Sequence, residues 1–192
     1  MSHARRGAWA AWAIVAGSML WAPHAGATVM VEVPLDDMVR DADAVVLGTV
    51  VSTGVQLVME DGGLIPNTLT RVRVREWLRG DGPRIITIRE LGGEWQGRGM
   101  RIEGTPRYAP GEQVVVFLAV HPAHPSDYRT YGMVQGRFVV IPGVPGVPTT
   151  VRRDLSAITF AHWVDGQMTL APAQDGPVMQ LDGFLDLIRR AP

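Results

Sequence analysis

The chain of 192 residues contains no cysteine. No disulfide can staple it, no thiolate can act as a nucleophile, and no Cys-ligated zinc can hold it, so its stability rests on burying a core. Lysine is also absent, and all eighteen basic residues are arginine, which codon bias explains without invoking function. They are balanced by nineteen acidic residues for a net charge of −1. Without a basic surplus, neither nucleic acid nor an anionic membrane is expected as a partner. After residue 27 the only serines are Ser52, Ser126 and Ser156, and none stands in a Gly-x-Ser-x-Gly elbow. The carboxylates form no paired motif, so acid/base hydrolysis has no support in the sequence.

What is present is clearest at the N-terminus. Arg5 and Arg6 precede an apolar run from Ala8 to Trp21, and no acidic residue occurs before Glu32. Ala25-Gly26-Ala27 then fits the small-residue cleavage rule. Residues 1–27 are therefore expected to be a cleaved signal peptide, with the mature chain beginning at Thr28 and exported to the periplasm or beyond. The run is shorter than the roughly 20 residues of a spanning helix, so no transmembrane segment is expected after cleavage. With no cysteine to acylate, a lipoprotein anchor is excluded. Losing Arg5 and Arg6 leaves sixteen basic against nineteen acidic residues, a net charge of −3 for residues 28–192. That segment has the size of one domain.

Along residues 28–192 the patterning is mostly of strand type. Leu35, Met38, Val39 and Ala42 recur at helical spacing behind Pro34, with Asp36 and Asp37 in the first turn, which predicts a short helix over 34–42. Ala44 to Val51 is a continuous apolar run suited to a strand buried on both faces, with Gly48 marking a bend or bulge. Asp61-Gly62-Gly63 reads as a turn. Val72 and Val74 alternate with Arg71, Arg73 and Arg75 in a half-buried strand, which pairs with 85–91 in a hairpin through Gly80-Asp81-Gly82-Pro83. A glycine-rich stretch at 92–104 surrounds Trp95. Val114 to Leu118 is the best candidate for a central strand, and 128–134 with 137–141 completes a meander. Pro142 to Pro148 is a loop, 151–170 gives no clear pattern, and Leu181, Phe184, Leu185 and Ile188 form a helical stripe. These elements predict a mainly β domain: a small OB-like barrel of five to six antiparallel strands over about 43–142. A short N-terminal helix precedes it, and a C-terminal extension carries a helix over about 179–190.

Several segments, in order, carry a resemblance. Ala42-Asp43-Ala44-Val45-Val46-Leu47-Gly48-Thr49-Val50 is followed by Val74-Arg75-Glu76-Trp77-Leu78-Arg79-Gly80 and by Gly92-Gly93. Tyr108-Ala109-Pro110-Gly111-Glu112-Gln113-Val114 and Gly132-Met133-Val134-Gln135-Gly136-Arg137-Phe138 complete the series. Over residues 40–140 this order resembles a widespread group of exported bacterial proteins with no assigned activity, some of which stand beside metalloprotease-like modules. More distantly it is similar to the netrin-like, OB-type barrel of tissue inhibitors of metalloproteinases. The resemblance implies a barrel. Those inhibitors chelate the protease zinc through an N-terminal cysteine, which this chain lacks; a free Thr28 amine is the only counterpart, expected at a frayed end.

The candidate sites are few. Trp95, with Gly93 beside it, is the first choice for a contact surface, because an exposed aromatic among glycines can anchor a partner. Tyr131 and Gln135 are second choices. His121-Pro122-Ala123-His124 departs from zincin spacing, and its prolines forbid the helix that zincins use, so a solvated loop is expected. The glycine-rich stretch lacks the Lys-Ser/Thr of a phosphate loop. The arginine stripe 71/73/75 reads as a solvated strand face. The expectation is a non-enzymatic binding domain of the cell envelope, needing no cofactor, whose partner is a protein or another envelope component. The alternative is a metal- or ligand-dependent enzyme using His121, His124 and His162, and a narrower one is a metalloprotease-inhibitor-like module.

Overall fold

The computed structural model describes residues 28–60, 62–156 and 158–191. The expected signal segment, residues 1–27, lies outside the described residues, as does Asp61 of the expected turn. A short strand β1 (Thr28–Val31) leads to helix α1 (Leu35–Asp41). Pro34 caps the helix with φ −58°, Asp36 and Asp37 occupy its first turn, and Met38 and Val39 are its buried residues. These are the positions the periodicity selects.

Two strands form the wall on which everything else is built. β2 (Ala44–Glu60) pairs with β3 (Gly63–Arg79) in a long hairpin and with β7 (Gln113–His121) on its other side. Between β3 and β7 the chain makes β4 (Ile85–Leu91) and a small ribbon of β5 (Gly93–Trp95) and β6 (Arg98–Met100). Side chains of β2 and β7 alternate between two cores. Val45, Leu47, Val115 and Phe117 face one cluster with Met38 and Val39, while Ala44, Val46, Val114, Val116 and Leu118 face the other with Val72, Ile86 and Ile88. A strand buried on both faces has no polar face, which is why these two read as unbroken apolar runs. A register shift falls between Leu47 and Gly48, where the sequence predicts a bend or bulge. A Cβ on Gly48 would lie 2.6 Å from Val72 Cγ1 and 2.7 Å from the Arg73 carbonyl oxygen, so only glycine lets β3 approach there.

The main sheet has eight strands in the order β13 (Met179–Gln180), β10 (Thr150–Arg152), β9 (Arg137–Ile141), β7, β2, β3, β4 and β8 (His124–Thr130). β8 also pairs with β7 and meets β4 in parallel at one position, Ile88↔Tyr128. The expected mainly β fold with two helices is present, and the strand count is corrected from five or six to eight in this sheet. The sheet is larger, includes a parallel contact, and joins β4 to β8 at one pairing rather than along a closing ladder. A second correction concerns 128–134: the strand ends at Thr130, because Gly132 takes φ 67° and turns the chain into a short 3-10 helix, Met133–Gly136. β9 (Arg137–Ile141) then returns along β7.

The C-terminal part both extends the sheet and covers it. β10 (Thr150–Arg152) adds to β9, β13 (Met179–Gln180) adds to β10, and α2 (Leu181–Arg190) packs Phe184, Leu185 and Ile188 into the first cluster. Phe184 lies 4.6 Å from Phe138 and 6.5 Å from Phe117, centroid to centroid. The unclear segment 151–170 contributes β11 (Ile158–Val164), which with β12 (Gln167–Pro172) and β1 makes a separate three-stranded sheet. Thr28, expected at a frayed end, is instead paired with Ile158 in that sheet.

Candidate functional site

A cleft of about 670 Å³ lies between the β2–β3 hairpin and the glycine-rich lobe. Thr53 and Val55 of β2, Thr68 of β3 and Leu91 of β4 form one wall; Gly92, Gly93, Glu94, Gly99 and the segment 100–102 and 105–108 form the other. Glycine is what seats the lobe. Gly93 has φ 143°, and a Cβ there would come 2.7 Å from Val55 Cγ2 and 2.8 Å from Thr68 Oγ1. The Thr68 hydroxyl donates to the Gly92 carbonyl at 2.7 Å, fastening the start of the lobe to β3. Two arginines, Arg101 and Arg107, and one carboxylate, Glu94, supply the charge; Arg101 is paired with Glu103. A smaller cleft of about 200 Å³ lies on the far side of the same 101–107 segment, with Arg137, Asp154 and Ser156 in its lining.

The sequence-selected residues separate into different surroundings. Gly93 lines the main cleft, whereas Trp95, 42% exposed on the same ribbon, does not. Tyr131 is half-buried against the first core cluster. Gln135 is fully buried: its Nε2 donates to the Val31 carbonyl at 3.1 Å and its Oε1 accepts from Val33 N–H at 2.9 Å. It is thus a clamp on the N-terminal strand and not a surface contact. The residues that sequence reasoning missed, Thr53, Val55, Thr68, Arg101, Arg107 and Tyr108, come from four separate segments. Only the paired glycines 92–93 signalled the place.

The histidines do not converge. His121 ends β7 and His124 opens β8, paired across a tight turn with ring centroids 5.0 Å apart, in place of the expected open loop. Burial, His124 and nearby arginines hold the His121 imidazole below its ordinary pKa. His162 belongs to β11 in the other sheet, and among the described residues no group of three His, Cys, Asp or Glu side chains could hold a metal ion. The arginines 71, 73 and 75 are exposed on β3, as their alternation predicts.

One polar network sits inside the second core. The Glu90 carboxylate accepts from Thr130 N–H at 2.8 Å, and the Thr130 hydroxyl is 2.7 Å from the Tyr108 hydroxyl. Burial pushes the Glu90 carboxyl up to about 7 against the lowering effect of Thr130 and Arg129, and it pushes the Tyr108 phenol above its ordinary value. Beside it, Arg89 donates to Asp127 at 2.8 Å with both side chains nearly buried. The Thr130–Glu90 and Arg89–Asp127 bonds thus cross from β4 to β8 where the two strands share one pairing. Tyr108 connects this network to the cleft, while Glu90 itself is not part of the lining. No family model, no curated protein and no solved structure matches the chain.

Proposed function

We propose that this is an exported, non-enzymatic binding module of the cell envelope, built on an OB-like, netrin-like barrel, whose partner sits in the cleft beneath the glycine-rich lobe. The cleft is the observation that carries the reading: it is of the size that holds a ligand group or a partner's loop, and hydroxyl, guanidinium and apolar groups converge on it. The barrel reading is supported by the run of pairings β2–β3–β4–β8–β7 back to β2, which matches the partly open five-stranded plan of OB domains. The Arg89–Asp127 and Glu90–Thr130 bonds reinforce its thinnest junction. The partner is a protein or another envelope component. The resemblance to exported proteins that stand beside metalloprotease-like modules belongs to this same reading.

A pull-down from native envelope extract, with the chain beginning at Thr28 as bait, tests it. Arg107→Glu alters the cleft, and Trp95→Ala alters the outer side of the ribbon. Capture of a specific partner that is lost in Arg107→Glu and kept in Trp95→Ala locates the contact in the cleft. A partner retained by both variants, or no partner at all, removes the cleft from consideration. One observation favours a narrower version, inhibition of a metalloprotease through the Thr28 amine: Thr28 is held by β11 rather than loose. Titration against a metalloprotease panel decides it, and no inhibition by a verified Thr28 terminus ends it.

A further inference from the structure

The three-stranded sheet has an anomaly in its patterning. Its inner face carries Met30, Ile158 and Phe160, which pack with Leu155, Val134 and Ala173 in a third core cluster. The outer face should then be polar, as in antiparallel sheets with one solvated side. Instead the register places Val29 and Val31 beside Thr159 and Ala161, and Leu170 and Met168 beside Ala161 and Trp163, all on the outer face. Val29 is 49% exposed, Val31 70%, Trp163 72%, Met168 57% and Leu170 54%. Among the described residues, none of the strand positions on this face is charged.

We infer that this face is covered by the same face of a second copy, making a symmetric dimer through sheet-on-sheet packing. Three arguments select a second copy over a different protein. The first is composition: interfaces of transient partners are no more apolar than ordinary surface, whereas homodimer interfaces are distinctly more so. The second is charge: a face without charges opposes itself at no electrostatic cost, and a two-fold axis requires such self-complementarity. The third is area. The exposed parts of these five side chains amount to on the order of 500 Å² per copy, so a pair buries about 1,000 Å², the threshold of a specific interface. Two such sheets packed about 10 Å apart would interleave Trp163 and Met168 of one copy with Val31 and Leu170 of the other.

Sedimentation equilibrium of protein expressed from the full-length gene tests the inference. The wild type should run at twice the monomer mass. The double variant Trp163→Asp/Met168→Asp should run as a monomer with unchanged circular dichroism, its association weakened about 100-fold or more because unpaired carboxylates would be buried. Val164→Asp provides the control: it is also exposed on the same ribbon but projects from the opposite face, and it should leave the dimer intact. A wild type that stays monomeric overturns the inference and gives the face to a different partner. A dimer that survives the double variant, or that Val164→Asp dissociates equally, overturns it as well.

Discussion

Glu90 shows how much one side chain can carry in a small β domain. It is buried on β4 among Ile86 and Ile88, accepts from Thr130 N–H, and helps join two strands that share a single pairing. Burial raises its carboxyl from the ordinary 4.5 to about 7. Between those values the unfolded chain has released a proton that the folded chain still holds, so stability falls as pH rises from about 4.5 to about 7 and levels off above. The gap corresponds to on the order of 3 kcal/mol. Glu90→Gln keeps an acceptor for Thr130 and cannot ionise. Denaturant titrations should find the variant more stable than wild type by about 2 kcal/mol at pH 8 and close to it at pH 5. Parallel pH profiles for the two proteins would show that Glu90 titrates alike in the folded and unfolded chain and would refute the raised carboxyl.

At the scale of elements, the N-terminal strand is held by Gln135 as well as by its own ladder. β1 is four residues long and pairs only with β11, and Gln135 grips it from a 3-10 turn more than a hundred residues away. Gln135→Leu fills nearly the same volume but leaves Val31 C=O and Val33 N–H without those partners, at a cost of about 2–3 kcal/mol. Hydrogen exchange should show the loss as faster exchange in β1 while amides of β2 and β7 keep their protection. Uniform protection across all three strands would refute the clamp. This residue also marks the limit of sequence reading. Gln135 looks like a surface polar residue after a strand, and nothing local says that a glycine at 132 folds it inward. By contrast α1, β7, α2, the bulge at Gly48 and the arginine face of β3 were legible, because each is written in local periodicity or in one glycine. The sheet of β1, β11 and β12 was not, since its outer face breaks the alternation that would have announced it. The cleft was half legible: Gly92 and Gly93 mark a close backbone approach, but Thr53, Thr68 and Arg107 meet only through long-range pairing.

At the scale of the molecule, the two main cores are inseparable because they share a wall. Val45 and Val46 are neighbours in β2 yet belong to different clusters, as do Val115 and Val116 in β7. Releasing the α2 side strips one face from the strands that build the β3–β4 side, so neither core has a surface on which to persist alone. Phe184→Ala opens the first cluster and Ile88→Ala the second, each at a cost of about 3–4 kcal/mol. If the wall couples them, each variant should lower one common melting transition. Far-UV circular dichroism and the fluorescence of Trp77, which is packed against the second cluster, should report the same midpoint in both proteins. Fluorescence needs the other tryptophans replaced by phenylalanine so that Trp77 alone reports. A Phe184→Ala protein whose helical signal melts well before Trp77 moves would mean that the sheet halves hold separately. The C-terminal extension would then be an accessory cover rather than part of the fold. Coincidence of the two curves would instead make residues 143–192 as necessary to the sheet as β2 itself.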